Sequence, residues 1–393
     1  MLAVNGLVAG TLIQAQWFSD NTWTATGGGF DLSLPIVIGM GLIAIVWLFN
    51  VYGVRPAVWF GYVTGGLLLL PAFVLMFLPY ITGDWSSSNI QFEIGANGGL
   101  ALAIVWLYFM CWSSYGIEVV ATFAPEYHDP QRDTRMALRS AALFSALVYV
   151  LLPLGAGGTL GTEKIAADAT LIAWYKEAFD VLVGNTLAGV MIFCVVAGLV
   201  LSMNTATMDG SRALYGISKD GMTIRQLGRL NRYNVPAVAM TVDAVLNLFL
   251  ISFFNNPIEI IAVSNIGYVF ATCTALAAFL LLRRGQAGRS RPVHLSSLWV
   301  PLAAVLLAAN LVFLIGGGFI WSGGFLGIDG YGYGWDKTRW GLLVLFVALA
   351  LYVYRHVVQD KLPMRLREQV PRTPDEQMSH PELAPAPSAA PVA

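Results

Sequence analysis

Charge is what this sequence has least of. Only 11% of its 393 residues are Asp, Glu, Lys or Arg, against about 25% in an ordinary soluble domain. A soluble fold of this length carries its charge on a surface that this chain lacks, so a water-soluble globular protein is excluded. Cysteine is scarce too. Cys111, Cys194 and Cys273 all lie inside apolar runs, where free thiols behave as small hydrophobes, and no disulfide framework is implied. The four histidines, His128, His294, His356 and His380, fall between or after the apolar runs. Haem or di-metal chemistry held by membrane histidines is therefore not expected, and neither a metal nor another cofactor is assigned. Pore-lining repeats and rings of like charge, the marks of a channel, are missing as well. Nothing points to nucleic acid or to an enzyme.

What remains is apolar: 57% of the chain is hydrophobic. A helix needs about 20 mostly apolar residues to cross the hydrocarbon. Such runs stand at Met1–Phe18, Leu34–Val51, Val58–Tyr80, Gly98–Ala124, Ala141–Thr159, Leu187–Thr207, Pro236–Phe254, Ile258–Leu282, Leu298–Trp321 and Trp340–Tyr354. They predict an all-α, polytopic membrane protein with roughly ten crossings. Barrel strands would be shorter and would alternate.

The basic residues predict the orientation. With Met1 on the cytoplasmic side, all of the 22 Lys and Arg residues except Lys164, Lys176, Lys337 and Arg339 fall in cytoplasmic segments. The expected location is the plasma membrane, with a cytoplasmic C-terminus. Residues 1–357 form the membrane domain, and 358–393, charged and then rich in Pro and Ala, form a disordered tail. Between Ala167 and Leu182 the residues Leu171, Tyr175, Phe179 and Leu182 recur at helical spacing, which predicts a short amphipathic helix lying on the outer face.

The fourth run holds the candidate site. Its middle reads Cys111-Trp112-Ser113-Ser114-Tyr115-Gly116-Ile117-Glu118. Small polar residues and an acid at mid-membrane are costly unless they face protein or water. They mark a discontinuous helix whose unwound backbone meets a substrate. The competing reading is a continuous helix whose serines bond their own backbone and whose Glu118 pairs locally. Asp243, with Asn247 one turn on, is a second intramembrane acid, and local pairing is the simpler reading there.

Three motifs carry a resemblance. The first is Trp112-Ser113-x-x-Gly116-x-Glu118, followed by Glu126, Asp129-Pro130-x-Arg132 and a basic residue before Ala137. The second is Ser211-Arg212-x-Leu214-Tyr215, closing on Asp220-Gly221. The third is Asn50-x-x-Gly53-Val54. In order and spacing they resemble the amino acid–polyamine–organocation transporters over nearly the whole membrane part. The resemblance implies a leucine-transporter-type fold of five-plus-five inverted repeats with two more helices. Aligned on the motifs, the first run corresponds to the later part of that family's third helix. The expectation is a chain lacking the first two helices and part of the third.

By the same resemblance, Trp112 is the aromatic that closes over substrate, and Ser113, Ser114, Tyr115, Gly116 and Ile117 are the unwound substrate-binding segment. Glu118 is the coupling or proton candidate. Ser264, Asn265 and Tyr268, matching the family's tenth helix, and Asn204 are further pathway candidates. The implied function is secondary active transport of amino acids or related amines by alternating access. The alternative is a truncated, non-transporting sensor or assembly partner. Proton-coupled members often carry a Lys in the fifth helix. The comparable position falls near Leu68, and the Val58–Tyr80 run has no basic residue. Exchange, another proton carrier such as Glu118, and sodium coupling all remain open. The substrate itself and the oligomeric state are not legible.

Overall fold

A computed structural model of the chain describes all residues except 28–29, 92–98, 115, 125–126, 168–171, 173, 255, 286–294, 322–333 and 363–393. Nearly all of the expected tail, and Tyr115 of the expected site, lie outside the described residues. The architecture is an all-α, polytopic membrane bundle. Nine of the ten apolar runs fall within helical stretches to within a residue at their ends, and the fourth, begun by α4, is broken: α1 (Leu2–Trp17), α2 (Leu34–Val51), α3 (Val54–Thr82), α4 (Gly99–Met110), α6 (Pro130–Leu160), α8 (Trp174–Lys219), α9 (Ala237–Phe253), α10 (Pro257–Gly285), α11 (Trp299–Val312, continued as a π-helix over Phe313–Ile320) and α12 (Gly334–Tyr354). Two short helices, α5 (Val119–Thr122) and α7 (Thr162–Ala167), lie between them. Among the described residues, 8 helical stretches are long and apolar enough to cross a membrane. The helices α1 and α9, of 16 and 17 residues, fall just short of that length.

One small exception to the all-helical expectation stands before α2. Strands β1 (Thr24–Gly27) and β2 (Phe30–Ser33) pair antiparallel, Thr24 opposite Ser33 and Gly27 opposite Phe30. Apolar windows do not register so short a hairpin.

The helix α1 is the core of the bundle. Leu2, Ala3, Val4, Leu7, Ala9 and Leu12 are all buried, as are Asn5, Gly6 and Gly10. In lipid there is little hydrophobic drive between helices, so close packing and interhelical hydrogen bonds hold them together. Both devices are present. Gly6 and Gly10 sit one turn apart against α2: a Cβ on Gly39 would stand 2.7 Å from the Gly6 carbonyl oxygen and 2.6 Å from Ile251 Cδ1. The Asn5 amide donates to Ser202 Oγ on α8 at 2.9 Å, and the Ala3 N–H donates to Asn247 Oδ1 on α9 at 3.0 Å. Asn247 in turn donates to Asp243 Oδ1 at 3.1 Å, which gives Asp243 its local partner.

Helix boundaries depart from the apolar runs where polar first turns are helical too. The run at Ala141 belongs to a helix that begins at Pro130, where Asp129 caps the N-terminus by accepting from the Arg132 N–H at 3.1 Å. Leu171 lies outside the described residues, and the amphipathic segment is helical from Trp174. It joins the rest of α8 through a bend at Gly184 (φ 78°, ψ 159°), a left-handed value that suits glycine. Phe179 and Leu182 are buried in one cluster with Leu12 of α1, Leu75 of α3 and Ile192 of α8. The apolar stripe is turned into protein because the bend at Gly184 folds it back over the bundle.

Candidate functional site

The helix begun by α4 stops at Met110. A short 3₁₀ turn, Cys111–Ser114, follows; Gly116 takes φ 108°, and helical geometry resumes only at Val119 in α5. Sequence causes each step. Ser113 Oγ and Ser114 Oγ donate back to the carbonyls of Met110 and Cys111, at 2.7 and 2.8 Å, competing with the helical ladder. Gly116 supplies the left-handed residue that a side chain would strain. Glu118 Oε2 accepts from the Gly116 N–H at 3.3 Å and closes the turn.

The interruption is held from two sides. Asn265 on α10, fully buried, donates to the carbonyls of Tyr108 and Phe109, at 2.9 and 3.4 Å. Tyr108, itself buried, donates to the Ala262 carbonyl on α10 at 2.9 Å. From the other side Tyr149 on α6 donates to the Ser113 carbonyl. Tyr149 was not legible as a site residue, because it sits in an unremarkable apolar stretch. Trp112 faces the core rather than lipid, packed against the cluster that includes Leu2, Val4 and Met203. Two buried polar atoms at the interruption have no hydrogen-bond partner: Trp112 Nε1, a donor, and Asn265 Oδ1, an acceptor.

The remaining sequence candidates are placed differently. Ser264 is exposed and bonds its own helix at Ile261, 3.1 Å away. Tyr268 is half-buried one turn beyond. Asn204 is fully buried, accepting from Asn50 at 2.8 Å and donating to the Ala57 carbonyl at 2.9 Å. It joins α8 to α2 and α3 and does not adjoin the interruption. Glu118 is exposed at the turn. Leu68 fills the contact with Gly198 of α8.

At the arginine-rich end of the bundle, the motif segments that lie apart in sequence converge on one cavity of about 850 Å³. Its walls include Tyr52 and Arg55 from the α2–α3 junction, Thr122 of α5, Arg212 and Tyr215 of α8, and Tyr233. Arg212 lies over the Phe123 ring, 4.6 Å from its centroid, and donates to the Met208 carbonyl at 3.0 Å. One turn before it, Asp209 Oδ1 is enclosed without a hydrogen-bond partner. Sequence reading passed over Asp209; an acid one turn ahead of Arg212 at the polar end of an apolar run was the available signal.

The loop between α8 and α9 is fastened at two points. Asn231 donates to the Val51 carbonyl at 2.9 Å and accepts from the N–H groups of Tyr233 and Val235, at 2.9 and 3.2 Å. Beyond α12, Asp360 takes Arg225 and Arg355 on its two oxygens, at 2.6 Å each. Gln359 accepts from the Arg225 N–H at 2.9 Å. Burial alone pushes the Asp360 carboxyl up, but hydrogen bonds and charge from Arg355 and Arg225 outweigh it and hold the group below the ordinary carboxylate value.

Among the described residues, the crossing begun by α4 is thus interrupted after Met110 and held there by α10 and α6. The sequence model of the amino acid permease family matches residues 1–326, and the chain belongs to that family. It is 28% identical over 220 residues to an L-methionine/branched-chain amino acid exporter of Escherichia coli K12, covering 54% of this chain and 49% of the relative. It is 27% identical over 298 residues to a polyamine transporter of Oryza sativa subsp. japonica, covering 73% and 51%. A D-serine/D-alanine/glycine transporter of Escherichia coli K12 is 26% identical over 282 residues, covering 68% and 54%. The chain spans about half the length of the curated relatives it matches.

Proposed function

We propose that this protein is a secondary transporter of amino acids or related amines, working by alternating access in the plasma membrane with its arginine-rich end in the cytoplasm. The observation that carries the reading is the interruption between α4 and α5 with its two unpartnered buried atoms, Trp112 Nε1 and Asn265 Oδ1. An unpaired buried polar group costs about 1–3 kcal/mol. A zwitterionic or cationic amine with a carboxylate or carbonyl brings both an acceptor and a donor, and relieves both costs at once. The backbone of Ser113, Ser114, Tyr115, Gly116 and Ile117 receives the polar part of the substrate, and the Trp112 indole packs on its side chain. Glu118 couples the turn to the ion or counter-substrate. The cavity below Thr122 is the cytoplasmic vestibule, and the family membership and the substrates of the relatives support the substrate class.

The test is counterflow in proteoliposomes with labelled L-methionine, L-leucine, D-serine and putrescine. One of these is expected to exchange, and Trp112→Ala is expected to cut that exchange by about tenfold or more. Absence of counterflow for all four, with purified protein that remains monodisperse, would remove the reading.

A further inference from the structure

We propose that the cavity at the arginine-rich end of the bundle binds the phosphate headgroup of an anionic phospholipid from the cytoplasmic leaflet. The choice of leaflet rests on the orientation proposed above; the site itself rests on the residues around the cavity.

Charge is the first of these observations. Arg55 lines the cavity from the first turn of α3, and among the described residues it has neither a hydrogen bond nor an ion pair. Two more cations stand on aromatic walls of the cavity. Lys219 Nζ lies 5.4 Å from the centroid of the Tyr215 ring, and the Arg232 guanidinium lies 4.7 Å from that of Tyr233. Among the described residues, neither cation enters an ion pair. Arg212 adds positive charge too, with its side chain already engaged by Phe123 and the Met208 carbonyl. None of the described residues that line the cavity is acidic. Nearby, by contrast, Asp360 holds both Arg225 and Arg355. Cations without an anionic partner, gathered around one cavity of about 850 Å³, leave charge for an anion to balance. Phosphate suits them, because guanidinium groups pair with its oxygens through charge-assisted hydrogen bonds.

The surroundings make that phosphate part of a lipid. The volume lies near the top of the range of roughly 300–1,000 Å³ for small-molecule sites, so it has room for a headgroup with its glycerol. From Arg55 the same face of α3 continues, at helical spacing, into Trp59 and Tyr62. Both rings are largely exposed, at 67% and 77%. Trp and Tyr so placed at a membrane boundary sit at headgroup level, with the ring bodies against acyl chains. A phosphate held at Arg55 therefore lays its acyl chains along Trp59 and Tyr62, a gain that a free phosphate lacks. Tyr52, whose ring meets that of Tyr233 edge-on with centroids 5.6 Å apart, and Leu230 give the cavity its apolar wall. A headgroup seated there shares the cavity with the proposed substrate route and narrows it.

Native mass spectrometry of the purified full chain tests the proposal, with phosphatidylglycerol or phosphatidylcholine of identical acyl chains added. Phosphatidylglycerol is expected to be retained about fivefold or more over phosphatidylcholine. Arg55→Gln and Arg232→Gln are each expected to cut phosphatidylglycerol retention by about fivefold and to leave phosphatidylcholine unchanged. Arg139→Gln removes an equal charge from an exposed position on α6, outside the cavity wall, and is expected to alter neither. Glycerophosphoglycerol, the same headgroup without chains, and inorganic phosphate are expected not to displace the lipid at equal concentration. Equal retention of the two lipids, undiminished retention in Arg55→Gln, a loss as large in Arg139→Gln, or displacement by either free anion would each overturn the proposal. Selective retention in a protein without counterflow would remove the transport reading and leave the lipid site standing.

Discussion

Asn265 donates its side-chain amide to the carbonyl of Tyr108 at 2.9 Å, so α10 grips α4 at the last turn before its helix is interrupted. Replacing Asn265 with Leu removes that bond and the weaker one to Phe109, and strands two carbonyls near the break. The expected cost is about 1–2 kcal/mol, read as a lower unfolding temperature in detergent. Asn265→Asp retains an acceptor but no donor and is expected to be no better.

Tyr149 is the corresponding anchor from α6. Tyr149→Phe keeps the ring and deletes only the hydroxyl that reaches the Ser113 carbonyl. Loss of one interhelical hydrogen bond is expected to cost about 0.6–1.7 kcal/mol, which leaves the fold intact and slows counterflow severalfold. An unchanged rate in Tyr149→Phe would mean that the Ser113 carbonyl needs no such restraint.

Trp112 offers two separable contributions, its bulk and its N–H. Trp112→Phe retains most of the packing on the α1 cluster and loses the donor. Transport by this variant is expected to fall by an intermediate factor, with the larger part in KM if the indole N–H meets bound substrate in the ground state. Equal losses for Trp112→Phe and Trp112→Ala would assign the whole effect to the N–H.

The pH response of the Asp360 clamp has a definite sign. The folded carboxyl lies below its ordinary value, so the clamp's contribution is complete above the unfolded pKa, about 3.9. It is lost as pH falls through the lower, folded value. Protection of the 220–235 loop against hydrogen exchange, relative to the intrinsic amide rate at each pH, is therefore expected to fall below about pH 4 and to hold steady above it. In Asp360→Asn that loop is expected to exchange fast throughout, because neither Arg225 nor Arg355 retains its anionic partner.

Much of the bundle was readable because lipid imposes long apolar runs, and every such run but the interrupted fourth is helical to within a residue at its ends. The interruption was readable for a different reason: Ser113, Ser114 and Gly116 are residue types that undo a helix from within. The serine hydroxyls do bond their own backbone, yet in doing so they accompany the break instead of an unbroken helix. What sequence could not give were partners chosen by the third dimension. Tyr149 is 36 residues distant from Ser113 in the chain, and only the packing of α6 on the turn brings it there. Asn204 shows the opposite failure. A polar side chain in an apolar run reads as pathway, but its bonds to Asn50 and Ala57 make it a joint between helices. The segment between Ala167 and Leu182 reads as an amphipathic helix and is helical from Trp174, but the bend at Gly184 that joins it to the rest of α8 has no periodic signature.

The contact between Gly6 and Gly39 bears on how such a bundle can move. Two backbones seated this closely leave no side chains to act as bearings, so α1 and α2 have no room to slide or roll past each other. They form a single lever. In the alternating access proposed above, that lever would pivot at its contacts with α8, α9 and α10, the Asn5–Ser202 hydrogen bond among them.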